Sequence, residues 1–252
     1  MSYSAKYFRD NLPTWKRQKD PVLSKIFYRP VSFFTASFAA NLGISANTVS
    51  YCSVVVALLS CVLFAYPSYR VHLLAAVFVS VWLIMDCTDG NLARSVKKQP
   101  FGTYADSMSS YIFVGFLITA MGIAVYESGG LFVPAGSVWI IVMGAIASSS
   151  DTLMRLIYHK YKATERELAD AGVLTMEYDV REDNTRVSDI RVRLENELGI
   201  GGILPPAILV CAFVNALDIM VIYGFFYYFL SMIAVVLIYT KKAIRGAREH
   251  GG

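Results

Sequence analysis

This sequence has few charged residues and few cysteines, and both shortages argue against particular classes of protein. Only 17% of its 252 residues are charged, whereas soluble domains average about a quarter. Its four cysteines, Cys52, Cys61, Cys87 and Cys211, show no CxxC spacing, which argues against a disulfide framework or a zinc site and favours small packing residues. The first twenty residues contain no apolar run, so we expect no cleavable signal peptide.

The sequence is instead rich in long apolar runs. The chain is 56% hydrophobic, its mean hydropathy is +0.49, and its runs approach the roughly 20 residues that cross a bilayer core. This pattern predicts an all-α membrane protein of six transmembrane helices, preceded by an interfacial amphipathic helix. The predicted spans are 47–66, 70–94, 102–126, 135–158, 202–218 and 219–240, with a short external turn at Asn215 and Asp218.

The basic residues predict the orientation of these spans. If the N-terminus is cytoplasmic, all of the 23 Lys and Arg residues except Arg70 fall on the cytoplasmic side, as the positive-inside rule requires. We therefore expect a multi-pass integral protein, in a bacterial inner membrane, whose functional site faces the cytoplasm. The bases near the C-terminus are interpreted as anchors beside anionic lipid; they are Lys241, Lys242, Arg245 and Arg248.

The layout divides the chain into three parts. The loop between the fourth and fifth spans mixes both signs of charge, which is typical of a solvated connector, with a lid or an oligomer contact as alternatives. The parts are a cytoplasmic arm with the interfacial helix (1–45), a membrane domain (46–240, with the loop at 160–200) and a basic tail (241–252).

Residues 21–42 have the pattern of a helix on a membrane surface. Apolar residues recur at helical spacing, Lys25 and Arg29 lie near them, and Pro30 predicts a break. A soluble N-terminal arm is the alternative. The apolar positions are Val31, Phe34, Phe38 and Leu42.

The chemistry is concentrated between residues 86 and 110. Asp86 and Asp89 lie at the end of the second predicted span, and Asp106 lies at the start of the third. Because a carboxylate at membrane depth costs about 3 kcal/mol, such residues usually have a partner or a function. Helical spacing and the short connection bring two stripes of acids and small residues face to face, Asp86–Asp89–Gly90–Ala93 and Gly102–Asp106–Ser110.

Three carboxylates without a clustered His or Cys form a site of oxygen ligands suited to Mg²⁺, Mn²⁺ or Ca²⁺. Such an ion bridges a diphosphate and stabilises charge on a leaving phosphate, and Arg94 is placed to reach a phosphate oxygen. The structural alternative is a charge network at the helix end, in which the acids pair with Arg94 and Lys97.

The spacing of these residues resembles the signature of the CDP-alcohol phosphotransferases, also called CDP-alcohol phosphatidyltransferases: D-x-x-D-G-x-x-A-R, a spacer, then G-x-x-x-D-x-x-x-D. The opening of the first span, from Ser45, is similar to the P-N-x-x-T of that family. The matching positions of the signature are Asp86, Asp89, Gly90, Ala93, Arg94, Gly102 and Asp106.

The resemblance implies a transferase that moves a phospho-alcohol, or a related phosphorus-linked group, from a cytidine nucleotide to an alcohol and releases CMP. It implies a homodimer among membrane lipids, a lipid or polar acceptor, a place in phospholipid or glycan biosynthesis, and no nucleic-acid partner. The implied ligands of Mg²⁺ (or Mn²⁺) are Asp86, Asp89 and Asp106. The implied nucleotide-binding residues are Asp86, Asp89, Gly90, Ala93, Arg94, Gly102, Asn47 and Thr48, and the implied catalytic positions are Asp106, Arg94 and Ser110.

Ser110 departs from this signature. Family members usually carry there a fourth aspartate, the candidate general base, and many carry arginine where this chain has Tyr111. Serine is a weak metal ligand and, at its ordinary pKa, no base. Several explanations stay open: a single metal ion, a second ion completed by water or substrate, another acid as base, an acceptor that is already an anion, an inactive nucleotide-binding pseudoenzyme, or an engineered substitution. A cation transporter is the rival from another class, although no charged relay crosses the membrane.

A second candidate group lies in the fourth predicted span. Asp151 and Arg155 are four residues apart, and they either pair with each other or, helped by His159 and Lys160, hold an acidic acceptor near the metal. Relatives that use phosphorylated acceptors place basic residues in this region.

The orientation predicts opposite labelling at two positions. A cysteine introduced at Lys98 should react with a membrane-impermeant thiol probe only from the cytoplasmic side, and one at Gly129 only from outside. A parent chain without its own cysteines is the control. The reverse pattern would overturn the orientation.

Overall fold

A computed structural model of the chain describes residues 2–173 and 197–250. Over this part the chain forms helices and turns without a strand, so the predicted all-α class is confirmed there. The predicted loop 160–200 falls partly outside the described residues. The elements are α1 (Ala5–Asp10), α2 (Thr14–Lys19), a π-helical segment (Ser24–Tyr28), α3 (Arg29–Asn41), α4 (Ala46–Phe64), α5 (Tyr69–Ser95), α6 (Gly102–Ser128), α7 (Val138–Asp170), α8 (Leu204–Phe213) and α9 (Leu217–His250).

Five of these helices, α4, α5, α6, α7 and α9, are long and apolar enough to cross a membrane. They correspond to five of the six predicted spans. The predicted span 202–218 contains only the ten residues of α8, about 15 Å of helix against a bilayer core of about 30 Å. The sixth crossing therefore stays a prediction.

The short α8 connects the two ends of the bundle. Before its first turn, the Gly201 carbonyl accepts a hydrogen bond from Ser24 Oγ (2.6 Å). In its last turn, the Phe213 carbonyl accepts one from the hydroxyl of Tyr69, the first residue of α5 (2.7 Å). The chain then turns at Asn215, which has a φ of +54°, as the predicted turn before α9 requires.

Two helices continue past their predicted ends. The fourth predicted span ended at residue 158 but α7 reaches Asp170, and the sixth ended at residue 240 but α9 reaches His250. Hydropathy marks where apolar residues stop, whereas a helix can continue through charged residues that pair along its surface. In α7, the Lys162 ammonium binds Glu165 Oε2 at 2.9 Å.

Pro30 does not break the helix before the first span, and the predicted break is wrong. The π-helical segment runs directly into α3, and Pro30 lies in the first turn of α3, where proline is tolerated. Arg29, predicted beside the membrane surface, is buried instead. The four predicted apolar positions of α3 are exposed, and their contact with lipid stays a prediction.

The core surrounds α6 and fixes three helices beside the acids. Trp82 of α5 stacks against Phe113 of α6, with ring centroids 4.4 Å apart. Its indole N–H donates to Ser109 Oγ (2.9 Å), and that hydroxyl also bonds to Ser53 of α4. This polar contact lies within one helical turn of Asp106. All four cysteines are free, as predicted; three are buried and Cys52 is exposed.

The loop between α6 and α7 is held by a carboxylate that the sequence associated only with a turn. Asp218, fully buried at the start of α9, accepts hydrogen bonds from the backbone N–H groups of Leu131, Phe132 and Val133, at 3.1, 2.6 and 3.0 Å. Three charge-assisted bonds offset the desolvation of this carboxylate.

Glycines let α6 and α7 cross at close range. A Cβ added to Gly144 would lie 2.7 Å from the Ile118 carbonyl oxygen, and one added to Gly122 would lie 2.8 Å from the Ile140 carbonyl oxygen. Real Cβ atoms do not approach backbone this closely, so a larger residue must move a helix.

Gly144→Ala should therefore destabilise the bundle by about 1–3 kcal/mol, the usual cost of overpacking. Thermal unfolding in detergent should show a lower midpoint. Gly246→Ala is the matched control, because it lies in α9 with open space around its Cβ position. An equal midpoint in both variants would contradict the close crossing.

Candidate active site

The three acids lie where the start of α4, the end of α5 and the start of α6 meet. These ends come together because consecutive helices run in opposite directions through the bundle. Ser45 caps α4 by accepting the Thr48 N–H (3.1 Å), and α6 begins directly after Phe101, whose φ is +58°. The local sequence thus places residues 46–50, 86–94 and 102–106 at one end of the bundle.

One cavity of about 600 Å³, here called the motif cavity, lies against these helix ends. Its walls include most of the residues that the resemblance implied for nucleotide binding. Asp86 and Thr48 are the two exceptions: Asp86 lines a different cavity, and Thr48 is exposed, with its hydroxyl bonded to Ser45. The implied residues that line the motif cavity are Asn47, Asp89, Gly90, Ala93, Arg94, Gly102 and Asp106.

The glycines keep the motif cavity open. A Cβ on Gly90 would lie 2.9 Å from Nη1 of Arg94, so the guanidinium lies flat over this backbone only because the side chain is absent. A Cβ on Gly102 would lie 3.3 Å from Oδ1 of Asn47. Arg94 is held by a hydrogen bond from Nη2 to Asn91 Oδ1 (3.1 Å).

Asn47 presents a hydrogen-bond acceptor without a partner. Its Nδ2 donates to the Pro100 carbonyl (2.9 Å), whereas its Oδ1 is buried and has no bond within the described protein. A buried acceptor of this kind costs about 1–3 kcal/mol unless a donor arrives. Asn47 is therefore ready to accept a hydrogen bond from a ligand in the motif cavity.

The three acids differ in their surroundings. The carboxyl groups of Asp86 and Asp106 face each other within hydrogen-bonding range. Asp89 is buried, and its Oδ2 accepts a hydrogen bond from Ser50 Oγ (2.5 Å). Among the described residues, no group of three His, Cys, Asp or Glu side chains is already gathered around one point. Ser50 was missed by the sequence analysis, although it follows Asn47 by one helical turn.

A second cavity of about 300 Å³, here called the basic cavity, lies on the other side of Asp86. Asp86 lines the basic cavity, while Asp89 and Asp106 line the motif cavity, so the acids form the boundary between the two. Its charged walls come from α2 and the residue after it, and from α3, α5 and α7; they are Lys16, Lys19, Asp20, Arg29, Asp86, Asp151 and Arg155.

The profile of the CDP-alcohol phosphatidyltransferase family matches residues 43–175. The chain belongs to this family. The match spans α4 to α7 and contains every signature residue, so the resemblance found in the sequence is confirmed. It makes the protein a member of a group of membrane phosphotransferases. A comparison with curated proteins gives no significant match.

Ser110, which the resemblance aligns with the fourth aspartate of the signature, forms a hydrogen bond within its own helix. Ser110 Oγ donates to the Ser107 carbonyl of its own helix (3.0 Å). The neighbouring Tyr111 hydroxyl bonds to His159 Nε2 (2.6 Å), and the Arg155 guanidinium lies 4.6 Å from the centre of its ring. Tyr111 thus supports the α7 residues instead of supplying a charge.

The second predicted group divides between two environments. Arg155 Nε binds Asp151 Oδ2 at 2.7 Å, which is one of the two arrangements predicted for these residues. Asp151 is fully buried, however, and its other carboxylate oxygen, Oδ1, has no hydrogen-bond partner among the described residues. Both line the basic cavity, whereas His159 lines a third cavity of about 450 Å³ and Lys160 is exposed.

A buried ion-pair network joins the N-terminal arm to the signature helix of this transferase. Arg29 donates to both carboxylate oxygens of Asp20 (2.8 Å each) and to Asn91 Oδ1 (3.3 Å), the same atom that binds Arg94. Burial raises the pKa of Asp20, but the positive charges of Lys16 and Arg29 together lower it by more. The pKa of Asp20 therefore lies below its ordinary value, and the carboxyl group is ionised at neutral pH. This network was not predicted from the sequence, because Asp20, Arg29 and Asn91 are brought together only by folding.

Proposed function

We propose that this protein transfers a phospho-alcohol, or a similar phosphorus-linked group, from a cytidine nucleotide to an alcohol and releases CMP. The observation that carries the proposal is the position of the three acids between two cavities of different character. A transfer reaction needs a donor on one side of the reacting group and an acceptor on the other. Family membership supports the same chemistry.

The donor occupies the motif cavity. Its small walls at Gly90, Ala93 and Gly102 accept a flat base and a ribose without a clash. The unpartnered Asn47 Oδ1 suits a donor such as the exocyclic amine of cytosine, and Arg94 lies in the same wall to bind a phosphate oxygen.

Asp86, Asp89 and Asp106 would hold a divalent cation. Two ionised carboxylates that face each other, as Asp86 and Asp106 do, repel strongly in a partly buried site unless a cation or a proton lies between them. The ligand set is all oxygen, which favours Mg²⁺ or Mn²⁺, held by Asp86, Asp106 and Asp89. When bound, such an ion neutralises charge on the diphosphate and on the leaving CMP.

The acceptor occupies the basic cavity. Arg155 offers an anchor for an acidic acceptor, and the unpartnered Oδ1 of Asp151 suits the hydroxyl of that acceptor. A hydroxyl bonded to a buried carboxylate is a better nucleophile, because the carboxylate can take its proton. Asp151 in this role replaces the base that Ser110 does not supply, while His159 and Lys160 support the acceptor site only indirectly.

Six crossings with both termini cytoplasmic fit this function better than five. After four crossings, α4 to α7, the chain returns to the side of its N-terminus. The segment that contains α8 then leads from Gly201, beside the basic cavity, to Phe213, beside the start of α5. Counting α8 as a crossing leaves the basic end of α9 on the cytoplasmic side, in agreement with the positive-inside rule. The exposed face of α3 then lies on the lipid surface.

The function is tested with purified protein, Mg²⁺ and a panel of CDP-linked donors and alcohols, by measuring CMP release. We expect release only when donor, acceptor and metal are all present, and loss of release in excess chelator. Asp86→Asn, Asp89→Asn and Asp106→Asn should each lose activity by orders of magnitude, since each removes a charge from the metal site.

Asp10→Asn is the matched control, because Asp10 is an exposed residue of α1 whose ion-pair partner within the described residues is its neighbour Arg9. Full activity in chelator would refute the metal, and nucleotide binding without turnover across the panel would favour the pseudoenzyme. Cation flux in liposomes without nucleotide binding would favour the transporter.

Ser110 gives a separate prediction. If Asp151 takes the proton, Ser110→Ala should change the rate little, since the serine makes only one neutral hydrogen bond, worth about 0.5–1.5 kcal/mol. Asp151→Asn, which keeps the shape and removes the charge, should abolish most of the turnover. Ser110→Asp should give no large gain over Ser110→Asn, its uncharged match; a large gain specific to aspartate would mean that the natural chain is an inactivated variant.

A further inference from the structure

The N-terminal arm, residues 2–20, lies over the mouth of the site although it falls outside the family match at 43–175. Its first part is firmly attached. Phe8 is almost completely buried in a cluster with residues of α3, α4 and α5. The Tyr7 hydroxyl donates to the Ser95 carbonyl at the end of α5 (2.7 Å), and the Tyr3 N–H donates to Asn41 Oδ1 (2.9 Å).

The second part of the arm is fixed just as closely. Arg17 of α2 donates to the carbonyls of Arg9 and Leu12, which ties α2 to the end of α1. The arm ends at Asp20, which is held by Arg29 in the buried pair described above. Attachment at both ends gives α2 one defined position over the acids.

In that position, consecutive residues of α2 enter different cavities. Trp15 lines the motif cavity, and Lys16 lines the basic cavity. Lys16 lies close enough to interact electrostatically with both Asp86 and Asp106, the facing acids at the boundary. Lys16 and Asp86 line the same cavity, so the ammonium lies on the basic-cavity side of the boundary, beside the acids that separate the two cavities.

The charge of Lys16 is also available for a ligand. Its Nζ binds Asp20 Oδ1 at 3.0 Å, but Arg29 already donates to both oxygens of that carboxylate. Asp20 therefore keeps a full counter-ion if the Lys16 ammonium turns towards a phosphate. The Lys16 side chain is 27% exposed, whereas that of Arg29 is 7% exposed, so Lys16 has the freedom to move that Arg29 lacks.

We propose that the N-terminal arm is part of the substrate site and that Lys16 binds the second phosphate of the cytidine diphosphate donor, the phosphate that is transferred. This proposal rests on the proposed function. It adds a substrate-binding residue from a segment that the family match does not cover, and it explains why α2 is attached over the boundary between the cavities.

The test compares the binding of CDP and CMP, which differ by this phosphate, to the full chain in detergent with Mg²⁺, by calorimetry. Lys16→Gln should weaken CDP binding by at least about tenfold, the effect of losing one charge-assisted hydrogen bond. CMP binding should change less than about twofold. Lys16→Arg should keep the preference for CDP. Lys6→Gln is the matched control, since Lys6 is an exposed residue of α1 on the same arm.

A chain that binds neither nucleotide before any substitution would contradict the proposed function itself, and the role of Lys16 with it. Normal CDP binding by Lys16→Gln, or an equal loss in Lys6→Gln, would overturn the role of Lys16 alone. If Lys16→Gln fails to fold, Lys16→Arg decides: loss of the CDP preference despite a retained cation and a normal unfolding midpoint would also contradict the proposal.

Discussion

The need to compensate buried carboxylates constrains this end of the bundle more than any other interaction. Asp86 and Asp106 face each other, and Asp89 lies behind them in a buried position. In a medium of low effective dielectric, repulsion between such groups would separate α5 from α6 unless opposite charge surrounds them. Lys16, Arg29 and Arg94 supply that charge, and each is held in place by a contact outside the acid cluster.

The residues of the signature could be predicted because local geometry fixes them. Three- and four-residue spacings place Asp86, Asp89, Gly90 and Ala93 on one helical face whatever the rest of the fold does, and a short connection must return α6 beside α5. Most of the residues predicted to bind the nucleotide therefore line one cavity, the motif cavity. Thr48, predicted to bind the nucleotide, does not line that cavity, and its hydroxyl bonds to Ser45 at the start of α4; its role stays a prediction.

What could not be predicted depends on contacts between distant parts of the chain. Ser50 meets Asp89, and Arg29 meets both Asp20 and Asn91, across separations that no periodic pattern encodes. The burial of Arg29 also reverses the simple expectation that a basic residue beside an apolar stripe faces water. Arg29 is turned inward because Asp20, which accepts hydrogen bonds from it with both carboxylate oxygens, is itself buried.

The two cavities differ in how much of their wall lies within the family match. Apart from Trp15, the residues that line the motif cavity belong to the matched segment 43–175, which fits a nucleotide donor shared across a family. The basic cavity instead takes much of its wall from outside that segment, including Lys16, Arg29, Gly201 and Tyr228. If the acceptor occupies the basic cavity, as proposed, the α8–α9 region is the part of the chain in which differences between members would alter the acceptor without disturbing the donor. Because α2 lines both cavities, through Trp15 and Lys16, the proposed function predicts that a change in the arm made for a new acceptor also affects donor binding.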